Sequence, residues 1–342
     1  MGSAEDKPYS CRQACAQALL RAVIKYIADN LRQRGKRESV EIKEFAEKVC
    51  DAVGKELGRE YQVEYKEVRK NNGVVLHGML IISGEKNVVP TIYLDTFWEE
   101  YESGESWKRI IRRLVSIYRR DAPKGKIDMD FFRSFEEVKA RICYRLIGRK
   151  GNEELLLDVP YIEFLDLALC FYYAYQGDML GEGTILVHNS HQNLWEASTA
   201  DLLKLAQDNT PRLFPWECNS LNVILKEIMG GDLGIKGESW EDEFPQEDPM
   251  LVLSNDRRLQ GAVCMLYPGV LEEIASRWEK SIYVLPSSVH EVILLPDSGR
   301  GEAESLKEMI VQVNNTQVAP EEVLSDSLYY YDFREKRVKI IF

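Results

Sequence analysis

YQVEYKEVRKNNGVVLHGMLII, residues 61–82, decides the fold. Tyr61, Val63, Tyr65 and Val68 recur with a period close to two, the mark of a strand with one buried face. Asn71-Asn72-Gly73 then offers the residues that tolerate a left-handed backbone. Val74 to Ile82 follows as a second strand, so the stretch reads as an antiparallel hairpin. Pro90 to Leu94 adds a short third strand. Upstream the period changes to 3.6. Ile42, Phe45, Ala46, Val49 and Val53 predict a helix over Glu41–Leu57, and Leu19, Val23, Ile27 and Leu31 predict another over Cys11–Leu31.

Downstream, Trp107 to Arg120 is helical, with Ile110, Ile111, Leu114 and Tyr118 on one face. Arg141–Ile147, Phe164–Tyr175 and Thr184–His188 read as strands, and Asp201–Ala206 and Leu221–Met229 as short helices around the Pro211–Pro215 turn. The tail predicts strands at Met250–Leu253, Ile282–Leu285, Val289–Leu295, Ser327–Tyr331 and Val338–Ile341, with helices at Val270–Trp278 and Ala303–Val313. Short connections between mixed elements imply an α+β fold, with mixed or antiparallel sheets and flanking helices, rather than a doubly wound one. Gly230 to Asp248 holds four glycines, and six carboxylates from Glu238 onward, which predicts a linker. The expected organisation is an amino-terminal helical extension over 1–40 and an α+β domain over 41–230. An acidic linker over 231–248 and a second α+β subdomain over 249–342 follow.

The 342 residues are 45% hydrophobic, ample for a core without staples. Lys and Arg number 44 against 56 Asp and Glu, a net charge of −12 that disfavours nucleic acid as the main partner. No run of 18 apolar residues is present, so no membrane span is expected. The opening MGSAEDKPYSCRQACAQALL lacks the pattern of a secretory signal. Seven cysteines, none in a CxxC pair, suit a reducing cytoplasm and argue against zinc or a disulfide framework.

The phrases NNGVVLHG, PTIYLDTFWEEYESG, FLDLALCFYYAY, TILVHNSHQNLW, LSNDRRLQGAVCMLYPGVL and YVLPSSVHEVILLPD resemble a domain-of-unknown-function family of gut clostridial bacteria, over roughly Glu41–Tyr331. The resemblance implies a bacterial, cytoplasmic protein. It carries no activity, cofactor or catalytic residue with it.

Gly177, Gly181 and Gly183 precede a strand rather than a helix and read as turn glycines, not a phosphate loop. The histidines number four: His77, His188, His191 and His290. In VHNSHQNLW, Asn189 or Ser190 is expected to cap a helix near His191, with Trp195 packed inward. The i, i+3 spacing of His188 and His191 lacks the usual metal pattern. In LPSSVHEVILLP, Ser288, His290 and Asp297 have the residue types of a nucleophile, base and orienter, but without a nucleophile elbow. A Ser287-Ser288 turn followed by a half-buried strand explains the same letters. The candidate binding site is therefore Asn189, Ser190, His191, Trp195, Ser287, Ser288, His290 and Glu291. Lys108, Arg109, Arg112, Arg113, Arg119 and Arg120 form a candidate anion patch whose simpler reading is a solvated helix face. No metal and no cofactor are expected. Three functions follow in order of preference. The first is a non-enzymatic binding or regulatory protein acting on another protein. A hydrolase-like enzyme around His188, His191 and His290 is second, and a nucleic-acid accessory protein using the Lys108–Arg120 face is third.

Overall fold

The alternation over 61–82 folds as a hairpin in the computed structural model, which describes residues 39–84, 89–122, 129–177, 181–221, 223, 250–286 and 288–342. The linker over 231–248 and the helix over Cys11–Leu31 lie outside the described residues. Helix α1 (Ser39–Leu57) precedes strand β1 (Tyr61–Arg69), which pairs antiparallel with β2 (Val75–Ser83) from Tyr61↔Ser83 to Arg69↔Val75. β3 (Thr91–Tyr93) adds to β2. Helices α2 (Asp95–Glu102) and α3 (Trp107–Asp121) complete this layer. Phe45, Val49 and Val53 of α1 recur every fourth residue. They bury against Met79, Ile81, Ile110 and Leu114 in one core.

The hairpin tip is also a plug. Asn72 takes the left-handed backbone expected of it, with φ 60°. Its Nδ2 donates to the carbonyls of Pro320 (2.8 Å) and Val323 (2.7 Å). Asn152, 3% exposed, donates to Asn71 Oδ1, Asn72 Oδ1 and Gly148 O, and accepts from Asn72 N–H. Three asparagines thus dock the first sheet on the body.

In the second sheet, β4 (Ile142–Gly148) pairs with β6 (Leu167–Gly177). β5 (Tyr161–Phe164) and β7 (Gly181–Leu186) share the other edge of β6. Helix α4 (Asn189–Trp195) leads into α5 (Thr199–Leu213). α5 covers the free edge of β4: Asn209 Nδ2 donates to Ile142 O (2.9 Å), and Thr210 Oγ1 accepts from Tyr144 N–H (3.1 Å). Unpaired edge groups invite aggregation, and here side chains occupy them.

The third sheet has six strands. β8 (Trp216–Ser220), β9 (Leu251–Asn255), β10 (Ile282–Leu285), β11 (Val292–Pro296), β12 (Tyr329–Asp332) and β13 (Arg337–Ile340) lie in the order β13-β12-β10-β11-β9-β8, every pair antiparallel. This sheet takes its edge strand from before residue 230 and the rest from after 249. The fold is α+β. Facing sides of the second and third sheets share one core, in which Tyr144 and Phe171 meet Leu253, Val284 and Tyr329, with helix α6 (Val270–Trp278) alongside. Helix α7 (Ala303–Thr316) covers the outer face of the third sheet at β10, through Leu306 and Ile310 against Tyr283 and Leu285. Among the described residues, no helix is long and apolar enough to cross a membrane.

Several expected elements are redrawn. The apolar run Phe164–Tyr175 belongs to two strands, β5 and β6, because Leu165 (φ 56°) and Asp166 turn the chain between them. The strand expected from Val289 begins at Val292, so His290 lies in a turn rather than inside a sheet. The helix expected over Asp201–Ala206 runs to Leu213.

Candidate functional site

The expected site residues fall into two places. The first is the start of α4. Asn189 and Ser190 do not provide the cap by side chain. The His188 N–H donates to His191 Nδ1 (3.0 Å) in a histidine version of a capping box. Asn189 Nδ2 instead donates to Leu157 O, and Ser190 is exposed. Trp195 is buried, as expected, and its Nε1–H donates to Phe132 O (2.8 Å). The His191 ring stacks on Trp195 and meets the edge of Phe132. His188 Nδ1 lies 2.7 Å from Asp158 Oδ2, an exposed pair.

Burial, reinforced by the His188 charge, lowers the His191 pKa against the opposing pull of Asp158. Nδ1 must stay unprotonated to accept from His188. A folded pKa below the unfolded value of about 6.5 gives stability that is complete above that pH and is lost as pH falls through the folded value. His191→Phe, which keeps a ring against Trp195 and Phe132 but offers no acceptor, should therefore cost about 0.5–2 kcal/mol near neutrality, as loss of a cap does. The gap from wild type should narrow at pH 5.5. Urea titrations at the two pH values measure it, and a constant gap would contradict the assignment.

The second place is the turn before β11. Ser288, buried, bridges to Val323, and its Oγ accepts from His290 N–H (2.9 Å) rather than facing the imidazole. His290 Nδ1 accepts from Gln260 N–H, and Nε2 lies 3.4 Å from Glu322. Asp297 accepts from the hydroxyls of Tyr283 and Tyr330. Ser288, His290 and Asp297 therefore do not form a relay. The partners of His191 (Phe132, His188, Trp195) and of His290 (Gln260, Glu322) are different sets, and no contact joins the two rings. Ser287 lies outside the described residues.

Glu291 is different. It lines a cleft of about 410 Å³ on the outer face of the third sheet, with Ser288, Ser254, Asn255 and Arg258 at one end. Val252, Leu285, Ile293, Ile310 and Val313 form its apolar wall. Burial raises the Glu291 pKa, opposed by the His290 charge and a Ser288 hydrogen bond. An apolar cleft with a few converging polar groups is the usual form of a binding site.

The polar end is held by Ser254–Ala262, part of the phrase LSNDRRLQGAVCMLYPGVL, in which no site residue was expected. Ser254 Oγ donates to His290 O (2.7 Å), and Asn255 Oδ1 accepts from Arg257 and Leu259 N–H. A Cβ on Gly261 would meet Ser254 Oγ at 2.2 Å and His290 O at 2.6 Å. The signal was the Ser-Asn-Asp turn run followed by a glycine.

The basic face of α3 is exposed and partly neutralised. Arg113 pairs with Glu100 through both nitrogens, Arg109 with Glu105, and Arg120 with Asp121. Arg112 and Arg119 stand exposed beside them. Cys50, Cys143, Cys170, Cys218 and Cys264 are buried, each thiol pushed up to about 12 by desolvation. They are poor nucleophiles in that state. Among the described residues, no three His, Cys, Asp or Glu side chains gather to hold a metal ion.

No curated protein and no solved structure matches the chain. A family model of unknown function does, over residues 42–333, spanning both candidate places and the cleft. The chain is a member of the family of unknown function DUF5688.

Proposed function

We propose that this protein is a non-enzymatic binding protein that receives an extended segment of another protein along β8. The outer edge of β8, which no strand covers among the described residues, supports this reading. β8 is a terminal strand, paired only with β9 among the described residues. The Leu221 N–H to Met250 C=O bond sets the phase of that ladder. Glu217 and Asn219 bond toward β9 in the same phase, so the backbone groups of Cys218 and Ser220 face away from it. Outward N–H and C=O groups on an edge are a template for an added strand. Glu217 and Asn219 also line the cleft, so alternate side chains of the added strand reach its apolar wall. Glu291 and Ser288 then offer hydrogen bonds to one polar side chain. A hydrolase built on His188, His191 and His290 has less support, because their contacts do not converge. The nucleic-acid reading is weakened by the pairing of Arg109, Arg113 and Arg120.

The test is a display library of ten-residue peptides, with selected sequences measured by fluorescence anisotropy. Ser220→Pro removes one outward N–H and no bond to β9. It is expected to weaken binding about tenfold while Ser220→Ala binds as wild type does. Ile293→Lys, which fills the cleft, should also weaken it. Peptides that bind Ser220→Pro as tightly as wild type, or a library without binders, would overturn the proposal.

A further inference from the structure

Arg145 is the one feature of the second sheet that its surroundings leave unanswered. It lies at the centre of β4, opposite Cys170 of β6, on the face turned away from the main core. Ile147, Ala168 and Cys170 form an apolar cluster on one side of it, and Cys143, Tyr172 and Ala174 form another on the other side. The Nε is sealed from solvent and has no acceptor, although the residue as a whole keeps partial exposure. Among the described residues no hydrogen bond, ion pair or ring contact engages the guanidinium. Desolvation lowers its pKa, and the groups that act against this are Cys170 and Tyr172, not a carboxylate.

The two Nη nitrogens are not sealed, so the fork opens from the apolar surround to the outer face while the Nε behind it has no acceptor. A partly desolvated cation without a counter-charge is unfavourable, and an anion is the partner that fits it. The chemistry of the surroundings narrows the class. One cation set between two apolar clusters suits a single negative charge. The planar fork of arginine suits a carboxylate held by two parallel hydrogen bonds. The flanks are apolar on both sides, so the body of the ligand is apolar too.

We propose that Arg145 anchors a carboxylate-binding site on the outer face of the second sheet, taking a small organic monocarboxylate with an apolar body. The site is separate from the β8 edge and does not depend on the reading given for it. The experiment uses the full chain with sodium butyrate and sodium phosphate as probes, against sodium chloride at equal ionic strength. Butyrate should raise the wild-type melting temperature saturably by several degrees, and phosphate should not. In Arg145→Met the chloride melting temperature should equal or exceed that of wild type, because an unpaired charge is gone. Its affinity for butyrate should fall about ten- to hundredfold. A second measurement needs no variant to fold. The Nε–H resonance of Arg145 in ¹⁵N-labelled protein should move on butyrate addition and saturate at the same concentration. A wild type indifferent to butyrate, a response shared equally by phosphate, or a variant that keeps the full response would overturn the assignment.

Discussion

Gly261→Ala is expected to lower the unfolding free energy by about 3–5 kcal/mol, summing overpacking and broken hydrogen bonds. The reason is space rather than backbone conformation. A methyl at Gly261 would sit 2.2 Å from Ser254 Oγ, 2.6 Å from His290 O and 2.7 Å from Asn255 N. Two of these atoms are backbone and cannot rotate away. The third is the hydroxyl that donates to His290 O, so moving it breaks the bond that joins β9 to the turn before β11. Both ends of the polar corner of the cleft would shift. Urea unfolding should show a lower midpoint with an unchanged slope. Gly84→Ala is the control, since among the described residues nothing lies within 4 Å of the added carbon there. It should stay within about 0.5 kcal/mol of wild type. Equal stability of the two variants would show that the two segments are not interlocked.

Asp166→Ala is expected to have a comparable effect, about 3–4 kcal/mol, because it strands several donors at once. The Asp166 carboxylate accepts from Ser325 Oγ (2.5 Å), Ser327 Oγ (2.9 Å) and the Tyr329 hydroxyl. Tyr329 is fully buried and Ser325 nearly so. The carboxylate ties the β5–β6 turn to the segment entering β12. Tyr329→Phe removes one donor cleanly and should cost only about 1 kcal/mol. Combined with Asp166→Ala, it should cost less than the sum of the two, the sign of a shared interaction. Thermal and urea unfolding of the two single variants and the double variant measure this. Strict additivity would mean that the hydroxyls find other acceptors.

Much of the fold was legible because its signals were local. The 61–82 hairpin combined alternation with Asn-Asn-Gly, and the apolar stripe of α3 kept its period from Trp107 to Tyr118. Phe164–Tyr175 misled because nothing in a leucine announces a left-handed φ at Leu165. β8 was missed because five residues with a half-exposed pattern carry little periodicity, and its partner β9 begins at residue 251. For the same reason the cleft was invisible, even though Ser288 and Glu291, two of its lining residues, were named. Arg145 hid inside an apolar strand, where a charged residue is ordinarily read as the polar side of an alternation. His290 was expected inside a strand from the letters around it, but the Ser288 hydroxyl bonds the His290 N–H and holds the chain in a turn.

The bond from Leu221 N–H to Met250 C=O (2.9 Å) has a practical consequence. Leu221 and Met250 close the last rung of the β8–β9 ladder, so a reporter carried on either residue sits at the end of the edge strand and not out along it. A fluorescent dye on a cysteine placed at Leu221 would lie within reach of the outward groups of β8, and its emission would report an arriving strand without any tag on the strand itself.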